Sequence, residues 1–156
     1  MTIQLVTFQV GNHHLAIPID KVQEVIRYTP VMESPEWSGL LHGIIHVRNI
    51  VIPVLDLRKV LAQDPIINNK KTRIIIVEIL ERVAGLIVDY VNDILPLFPE
   101  QIVHLSSITW EKKTAILASI ANIDNQMYFV LDIDYLLREN EQKLFKEIFD
   151  SSFNVQ

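Results

Sequence analysis

The stretch that decides the fold of this 156-residue chain is GIIHVRNIVIPVLDL, residues 43–57. Two runs rich in β-branched residues, 43–47 and 50–55, flank the dipeptide Arg48-Asn49. This pattern predicts two short antiparallel strands joined by a tight turn. Asn tolerates the left-handed backbone conformation that such a turn requires, although less freely than Gly.

The end of the same stretch carries two further signals. Pro53 cannot donate a ladder hydrogen bond, so we expect the second strand to lie at a sheet edge or to carry a bulge at this residue. Asp56 follows the strand directly and is placed to cap a short helix over residues 57–61. The stretch therefore predicts a strand, a turn, a second strand and a capped helix in immediate succession.

Residues 43–57 resemble the signature of the CheW-like family, the coupling proteins of bacterial chemotaxis. That signature is a Gly, two apolar residues, a polar one, an apolar one, Arg-Gly, and an apolar strand that ends in Pro-Val-(Val, Ile or Leu)-Asp-Leu. Two positions depart from it, because His46 stands where Asn is usual and Asn49 where Gly is usual. The positions that match are Gly43, Arg48, Pro53, Asp56 and Leu57.

Two motifs recur in the same order along the chain, which indicates an internal duplication. The pattern apolar-Asp-x-Val-amide-acid-apolar-apolar occurs at 19–26 and again at 88–95, and Asp89 follows Asp20 by 69 residues. Residues 54–61 similarly resemble residues 130–137. Each half contains about five predicted strands, and small antiparallel units of this kind close into barrels to hide their edges. We therefore expect two small barrels that share apolar surface.

The resemblance covers roughly residues 5–137 and implies a mainly β fold: two packed SH3-like five-stranded β-barrels, the CheW-like fold, with a C-terminal α-helix. We expect one domain over 1–156, built of barrel subdomains at 11–66 and 70–131, with the N-terminal strand bridging them. The run 73–79 is strongly β-branched and predicts a strand buried on both faces. Apolar residues recur with helical period toward the C-terminus, which predicts a helix at 132–150.

Composition excludes several classes of function. Formal net charge is −5, which argues against a general binder of nucleic acid or of anionic membranes. The nearest basic run, Lys70-Lys71-x-Arg73, is interpreted as a solvated turn. The chain has no cysteine, so disulfides and thiolate chemistry are excluded. No apolar run reaches the ~18 residues of a membrane span and no signal peptide is visible, which predicts a soluble cytoplasmic protein.

No pattern nominates an enzyme, a metal site or a cofactor. His13 and His14 are adjacent on a predicted strand and point to opposite faces. His42 and His46 share a face but lie roughly 13 Å apart at ~3.3 Å per residue, which is too far to share an ion. Four carboxylates follow strand-like runs, and we interpret them as backbone caps rather than as catalytic groups: Asp20, Asp56, Asp89 and Asp132.

The resemblance implies that the groove between the barrels receives the helical tip of a chemoreceptor. It places Val22, Gly43 and Arg48 on the receptor-contacting surface, while Val88 and Val91 belong to the equivalent motif of the second barrel. For the valines the alternative is core packing, and Gly43 could be needed only for its backbone conformation. The resemblance also implies a structural ion pair between Glu24 and Arg48 that braces the first barrel.

As a function, the resemblance implies a non-enzymatic adaptor that couples transmembrane chemoreceptors to a CheA-type histidine kinase in bacterial chemotaxis. The partners would be the cytoplasmic tip of a methyl-accepting chemotaxis protein and the regulatory domain of the kinase, with self-association in arrays at the membrane but no membrane insertion. One alternative is a CheW-like adaptor of another receptor-linked pathway, such as twitching motility. Another is a small-barrel nucleic-acid-binding module, which would need stacking aromatics interleaved with basic residues.

Overall fold

The computed structural model describes residues 3–33, 41–61, 68–79, 82–103 and 117–133. Over these ranges the chain is almost entirely β, as the sequence predicted. Its only regular helical elements there are 3₁₀ turns at Ile19–Lys21 and Pro99–Gln101 and the short helix α1 at Arg58–Leu61. The strands are β1 (Ile3–Val10), β2 (His13–Pro18), β3 (Val22–Arg27), β4 (Met32–Glu33), β5 (Leu41–Val47), β6 (Ile50–Asp56), β7 (Arg73–Ile79), β8 (Arg82–Val88), β9 (Tyr90–Leu97), β10 (Ile102–Val103), β11 (Leu117–Ile123) and β12 (Gln126–Leu131).

The strands form two six-stranded sheets of identical topology. Sheet I has the order β4-β5-β6-β8-β7-β3, and sheet II has the order β10-β11-β12-β2-β1-β9. In each sheet one inner pair is parallel, β6 with β8 and β12 with β2, whereas the other neighbours are antiparallel. Strands β1 to β6 therefore correspond one by one to β7 to β12, which is the duplication that the repeated motifs predicted.

The two repeats exchange their first hairpins. The β1–β2 hairpin pairs with β9 and β12 of the second repeat, and the β7–β8 hairpin pairs with β3 and β6 of the first. Division of the chain into subdomains at 11–66 and 70–131 therefore does not follow the sheets, and β1 belongs to sheet II rather than bridging the two units. Sequence motifs show which segments repeat, but both hairpins have similar apolar patterns, so the pattern does not show which copy each will pair with.

The predicted turn at Arg48-Asn49 is confirmed, and its counterpart in the second repeat has the same form. Arg48 and Asn49 have φ angles of 47° and 66°, and Asp124 and Asn125 have φ angles of 51° and 66°. Positive φ at both central residues is the requirement of the hairpin turn that matches the twist of two strands. Three of these four residues are Asn or Asp, which enter this region more easily than other non-glycine residues, and Arg48 is the exception.

Pro53 is accommodated differently from the prediction. Strand β6 lies between β5 and β8 rather than at an edge, and the irregularity in its pairing with β5 falls between Leu41 and Gly43. Pairing of β6 with β8 begins only at Val54. Pro53 thus lies in the part of the strand that pairs on one side, where its missing N–H leaves no ladder bond unmade.

Among the described residues, three clusters of buried apolar side chains form layers within and between the two sheets. One lies within sheet I and draws Ile74 and Ile76 from β7, and another lies within sheet II around Leu5 and Val130. The third combines residues of both sheets, including Phe8 from β1 and Ile75 and Val77 from β7. Alternate residues of β7 thus enter different layers, which confirms that this strand is buried on both faces.

Two remaining predictions concern the chain beyond these strands. The helix predicted at 132–150 lies, apart from its first two residues, outside the described residues. None of the helices in the described ranges is long and apolar enough to cross a membrane.

The layer between the sheets makes the two sheets one cooperative unit. Leu86→Ala removes a side chain that is fully buried in this layer, and we expect the free energy of unfolding to fall by about 2–5 kcal/mol. Urea denaturation followed through backbone amide signals of β1 and β7 should give one common transition. Ile50→Ala, at a side chain that is 59% exposed, is the control and should change stability by less than about 0.5 kcal/mol. Separate transitions for the two sheets would contradict the prediction.

Candidate partner-binding site

Arg48 and Glu24 form an ion pair on the surface of sheet I. Nη2 of Arg48 donates a hydrogen bond to Oε1 of Glu24, and the two side chains are 73% and 30% exposed. Arg48 belongs to the β5–β6 turn, whereas Glu24 lies on β3 at the far edge of the sheet order. The pair therefore shows that sheet I curls until its edge strand reaches this turn. Because Arg48 is mostly exposed, part of its guanidinium faces solvent and is accessible to a partner.

Position 43 requires a glycine because β4 approaches its backbone closely. A Cβ atom at this position would lie 2.3 Å from the carbonyl oxygen of Met32 and 2.6 Å from a methyl group of Val31. Any side chain here would push β4 away from β5. Gly43 also lies in the lateral row of residues that starts at Glu24 and crosses β7, β8 and β6 through Ile76, Gly85 and Val54.

The three valines do not have equal access to solvent. Val22 is the first residue of β3 and Val91 the second residue of β9, the corresponding strand, and each is half-buried against the layer between the sheets. Val88 is fully buried in that layer, so its side chain presents no surface to a partner. Val22 pairs with Val77, whereas Val88 pairs with Arg73 at the other end of β7, and the two valines are therefore apart.

A buried charged cluster joins the two sheets, and the sequence analysis did not single out its central residue, Arg58. Nε and Nη2 of Arg58 donate to the two carboxylate oxygens of Asp56 at 2.9 and 3.0 Å. Both side chains are almost inaccessible, at 2% and 1% exposure. Nη1 of Arg58 lies 3.6 Å from Oδ1 of Asp89, whose other oxygen accepts a hydrogen bond from the N–H of Gly11 at 2.7 Å. The cluster thus runs from the end of β6 to the β1–β2 turn.

The carboxylates of this cluster act on the backbone as the sequence predicted. Asp56 accepts the N–H of Arg58 at 3.0 Å and so caps α1, while Asp89 accepts the N–H of Gly11 in the β1–β2 turn. No local pattern distinguishes Arg58, because its burial depends on the packing of distant segments rather than on the four-residue helix in which it lies.

His42 lies beside the Gly43 row in a partly buried position. Its Nε2 is 2.9 Å from Oε1 of Glu33, and its Nδ1 is buried without a hydrogen-bond partner in the part of the chain that the structure describes. Burial, followed by the positive charge of Lys59, lowers the pKa of His42 below its ordinary value. The described ranges contain no group of three His, Asp or Glu side chains that could hold a metal ion.

These features can be compared with known proteins. The family model of the CheW-like domain matches residues 4–141. The chain belongs to the CheW-like family. The chemotaxis protein CheW of Klebsiella aerogenes is 29% identical to it over 148 residues, which are 95% of this chain and 89% of that protein.

Structural similarity to a CheW protein confirms the CheW-like fold. The crystal structure of the scaffolding protein TtCheW from Thermoanaerobacter tengcongensis matches with a TM-score of 0.81 and 33% identity, over 90% of this chain and 96% of that one. The protein PilI of Pseudomonas aeruginosa is 33% identical over a shorter stretch of 84 residues, which is 54% of this chain and 47% of that protein.

Removal of the Arg58 side chain should be costly, because it leaves the Asp56 carboxylate buried without its charged partner. We expect Arg58→Met to lower the free energy of unfolding by about 3–5 kcal/mol. The double variant Arg58→Met with Asp56→Asn removes both charges and should recover part of that loss. Chemical denaturation of the three proteins measures both effects. Equal stability of the native protein and the single variant would contradict the buried ion pair.

His42 should make stability depend on pH. Its pKa is lowered in the folded state, so below the ordinary value of about 6.5 the unfolded chain binds a proton that the folded chain resists. The contribution of His42 to the free energy of unfolding is therefore present above about pH 6.5 and is lost as the pH falls through the folded-state pKa. Urea denaturation at about pH 7.5 and about pH 5.5 should show a smaller loss of stability for His42→Gln than for the native chain. A difference between the two proteins that does not change with pH would contradict this.

Proposed function

We propose that this chain is a non-enzymatic adaptor that couples chemoreceptors to a CheA-type histidine kinase in chemotaxis arrays. The observation that carries the proposal is the extent of the family match, which spans residues 4–141. The Klebsiella relative, covered over 89% of its length, is a chemotaxis protein CheW, and the similar crystal structure is that of a scaffolding protein.

The described charged groups also favour a binding protein over a catalyst. Asp56 and Arg58 are the charged residues that the described ranges bury, and they are bound to each other. Asp89 accepts a backbone N–H and approaches the same guanidinium. These groups support the structure, so the function lies in the surfaces that surround them.

We place the receptor on the surface that includes Val22, Arg48 and Val91, and buried Gly43 would support this surface from beneath. The physical basis is the recognition of an amphipathic helix by a groove, in which an apolar stripe packs on branched side chains while a charged residue fixes its position. Half-buried Val22 and Val91 offer apolar area, and exposed Arg48 offers the charge. Val88, which is buried, would act by supporting the surface from within rather than by touching the receptor.

We place the kinase on the edge strands. Val25 on β3 and Ile94 on β9 hold corresponding positions and are 41% and 57% exposed. Met32 on β4 and Val103 on β10 are likewise exposed at the opposite edges. Exposed apolar side chains on edge strands favour association with another sheet, and the regulatory domain of the family kinase has the same two-barrel fold. Such contacts between barrels, repeated, would build the array at the cytoplasmic side of receptor-bearing membranes.

A second pathway remains the main alternative. The match to PilI over about half of each chain indicates that relatives with other names share part of this sequence. A CheW-like adaptor of another receptor-linked output, such as twitching motility, would use the same fold with different partners. Receptor and kinase fragments from the source organism distinguish the two pathways directly.

Variants that change the charges of Arg48 and Glu24 distinguish an effect on receptor binding from an effect on stability. Arg48→Glu should weaken binding of a receptor-tip fragment about tenfold. It should change the free energy of unfolding by only about 0–1 kcal/mol, as expected for an exposed pair. The double variant Glu24→Arg with Arg48→Glu restores opposite charges, so it should regain stability but not receptor affinity. Recovery of affinity in the double variant would mean that Arg48 only braces sheet I.

Backbone amide shifts during the same titration locate the surface. We expect the largest perturbations at Val22, Gly43, Arg48 and Val91. Perturbations confined to β4 and β10 would move the receptor to the sheet edges. Absence of shifts with receptor tips of the chemotaxis pathway, together with shifts from a tip of another pathway, would favour the alternative function.

A further inference from the structure

Four cationic side chains gather at one end of sheet I: Arg27, Lys70, Lys71 and Arg73, here called the basic patch. Arg27 on β3 and Arg73 on β7 are direct cross-strand partners. Lys70 and Lys71 form the turn that leads into β7. The sequence showed only Lys70-Lys71-x-Arg73 as a short run, and the pairing of β3 with β7 adds a fourth cation from 43 positions earlier in the chain.

The cross-strand pair of Arg27 and Arg73 places two like charges side by side. Like charges directly opposite each other on neighbouring strands destabilise a sheet. Within the described ranges, the ion pairs of Arg48, Arg58 and His42 do not reach the four cations of the basic patch. The fold therefore concentrates positive charge here without supplying a described carboxylate to balance it.

Hydrogen bonds hold Arg73 and the turn that precedes it in place. Nη1 of Arg73 donates to the carbonyl oxygens of Lys70 and Thr72 at 2.7 and 3.0 Å. Asn69 binds the turn from both sides, because its N–H donates to Oγ1 of buried Thr72 at 2.9 Å and its Oδ1 accepts the N–H of Lys71 at 2.8 Å. The guanidinium of Arg73 is thus fixed by one nitrogen, which reduces the conformational entropy that binding would cost.

A cavity of about 530 Å³ opens between these side chains, lined by Arg27, Tyr28, Asn69, Lys70, Thr72 and Arg73. Two guanidinium groups border it, and the planar guanidinium is the group best matched to carboxylates, which it binds through paired hydrogen bonds. The cavity is large enough for more than one carboxylate-bearing side chain. The three cationic residues among its lining, Arg27, Lys70 and Arg73, therefore offer partners for the carboxylates of an acidic peptide.

We infer that the basic patch binds a short, extended acidic segment of a partner protein. The chain as a whole has a formal charge of −5 although four of its 14 Lys and Arg residues lie here, so a long polyanion would meet acidic surface beyond the patch. Base stacking is also disfavoured, since Tyr28 packs against the layer within sheet I and the Nζ of Lys71 covers the ring of Tyr90 at 5.6 Å. A short acidic peptide would neither reach the acidic surface beyond the patch nor need an aromatic ring for stacking.

This inference does not rest on the proposed function. Arg73 lies four residues along β7 from Val77, the partner of Val22, which is a separation of roughly 13 Å at ~3.3 Å per residue. Lys71, whose Nζ contacts the ring of Tyr90 next to Val91, is left unchanged in the test, and the tested substitutions at Lys70 and Arg27 alter none of the residues of the proposed receptor surface. Failure of one proposal is distinguishable from failure of the other.

The test measures fluorescence anisotropy of a labelled peptide of alternating Ser and Glu with the full chain. We expect saturable binding at low salt that is lost at about 0.5 M salt, because exposed charges are screened. Lys70→Glu and Arg27→Glu should each weaken it about tenfold. Lys59→Glu makes the same change in net charge on exposed α1 and should weaken binding less than about twofold. The same peptide with Gln in place of Glu should not bind.

Three results would overturn the inference. One is the absence of saturable binding at low salt. Another is equal loss of affinity in Lys59→Glu and Lys70→Glu, which would show a response to net charge alone. The third is tighter binding of single-stranded DNA or of vesicles rich in phosphatidylglycerol, with loss in Lys70→Glu, because it would assign the patch to a different class of partner. Far-UV circular dichroism checks that both patch variants retain the β fold.

Discussion

Each sheet of this protein is completed by a hairpin that comes from the other repeat. Hairpin β1–β2 lies between β9 and β12, and hairpin β7–β8 lies between β3 and β6. Neither sheet can form from one continuous half of the chain, so the duplication does not produce two independent domains. The apolar layer between the sheets follows from this exchange, because both exchanged hairpins contribute to it: Phe8 and Leu15 on one side, Ile75 and Leu86 on the other.

The buried charge of Arg58 lies where the end of β6 meets the exchanged β1–β2 hairpin. Its guanidinium binds Asp56 at the end of β6 and approaches Asp89, which in turn accepts the N–H of Gly11 in the β1–β2 turn. A buried ion pair contributes little net stability, since the desolvation of both charges offsets their attraction. The Asp56–Arg58 pair is local, whereas a misplaced β1–β2 hairpin would break the contacts of Asp89 with Gly11 and Arg58, which join distant segments of the chain. The cluster therefore acts on the relative position of the sheets more than on their overall stability.

An adaptor acts through its surfaces, and the surfaces here follow from the shape of the sheets. Curling of sheet I brings the β5–β6 turn to β3, which forms the Arg48–Glu24 pair and leaves most of Arg48 exposed. The same sheet places like-charged Arg27 and Arg73 side by side at its other end. The open edges carry apolar side chains at corresponding positions in both repeats, such as Val25 and Ile94. The two sheets thus present several separate exposed surfaces.

The sequence by itself determined the strands, the turn at Arg48-Asn49, the duplication and the family, because these depend on local alternation of apolar residues and on turn chemistry over a few residues. It also proposed the Glu24–Arg48 contact, through the family resemblance. Only the tertiary structure decided which copy of each hairpin pairs with which sheet, that Val88 is buried while Val22 is half-exposed, and that Arg27 joins Lys70, Lys71 and Arg73. These outcomes depend on pairing between strands far apart in the chain, and similar apolar patterns in both repeats leave that pairing open until the core is packed.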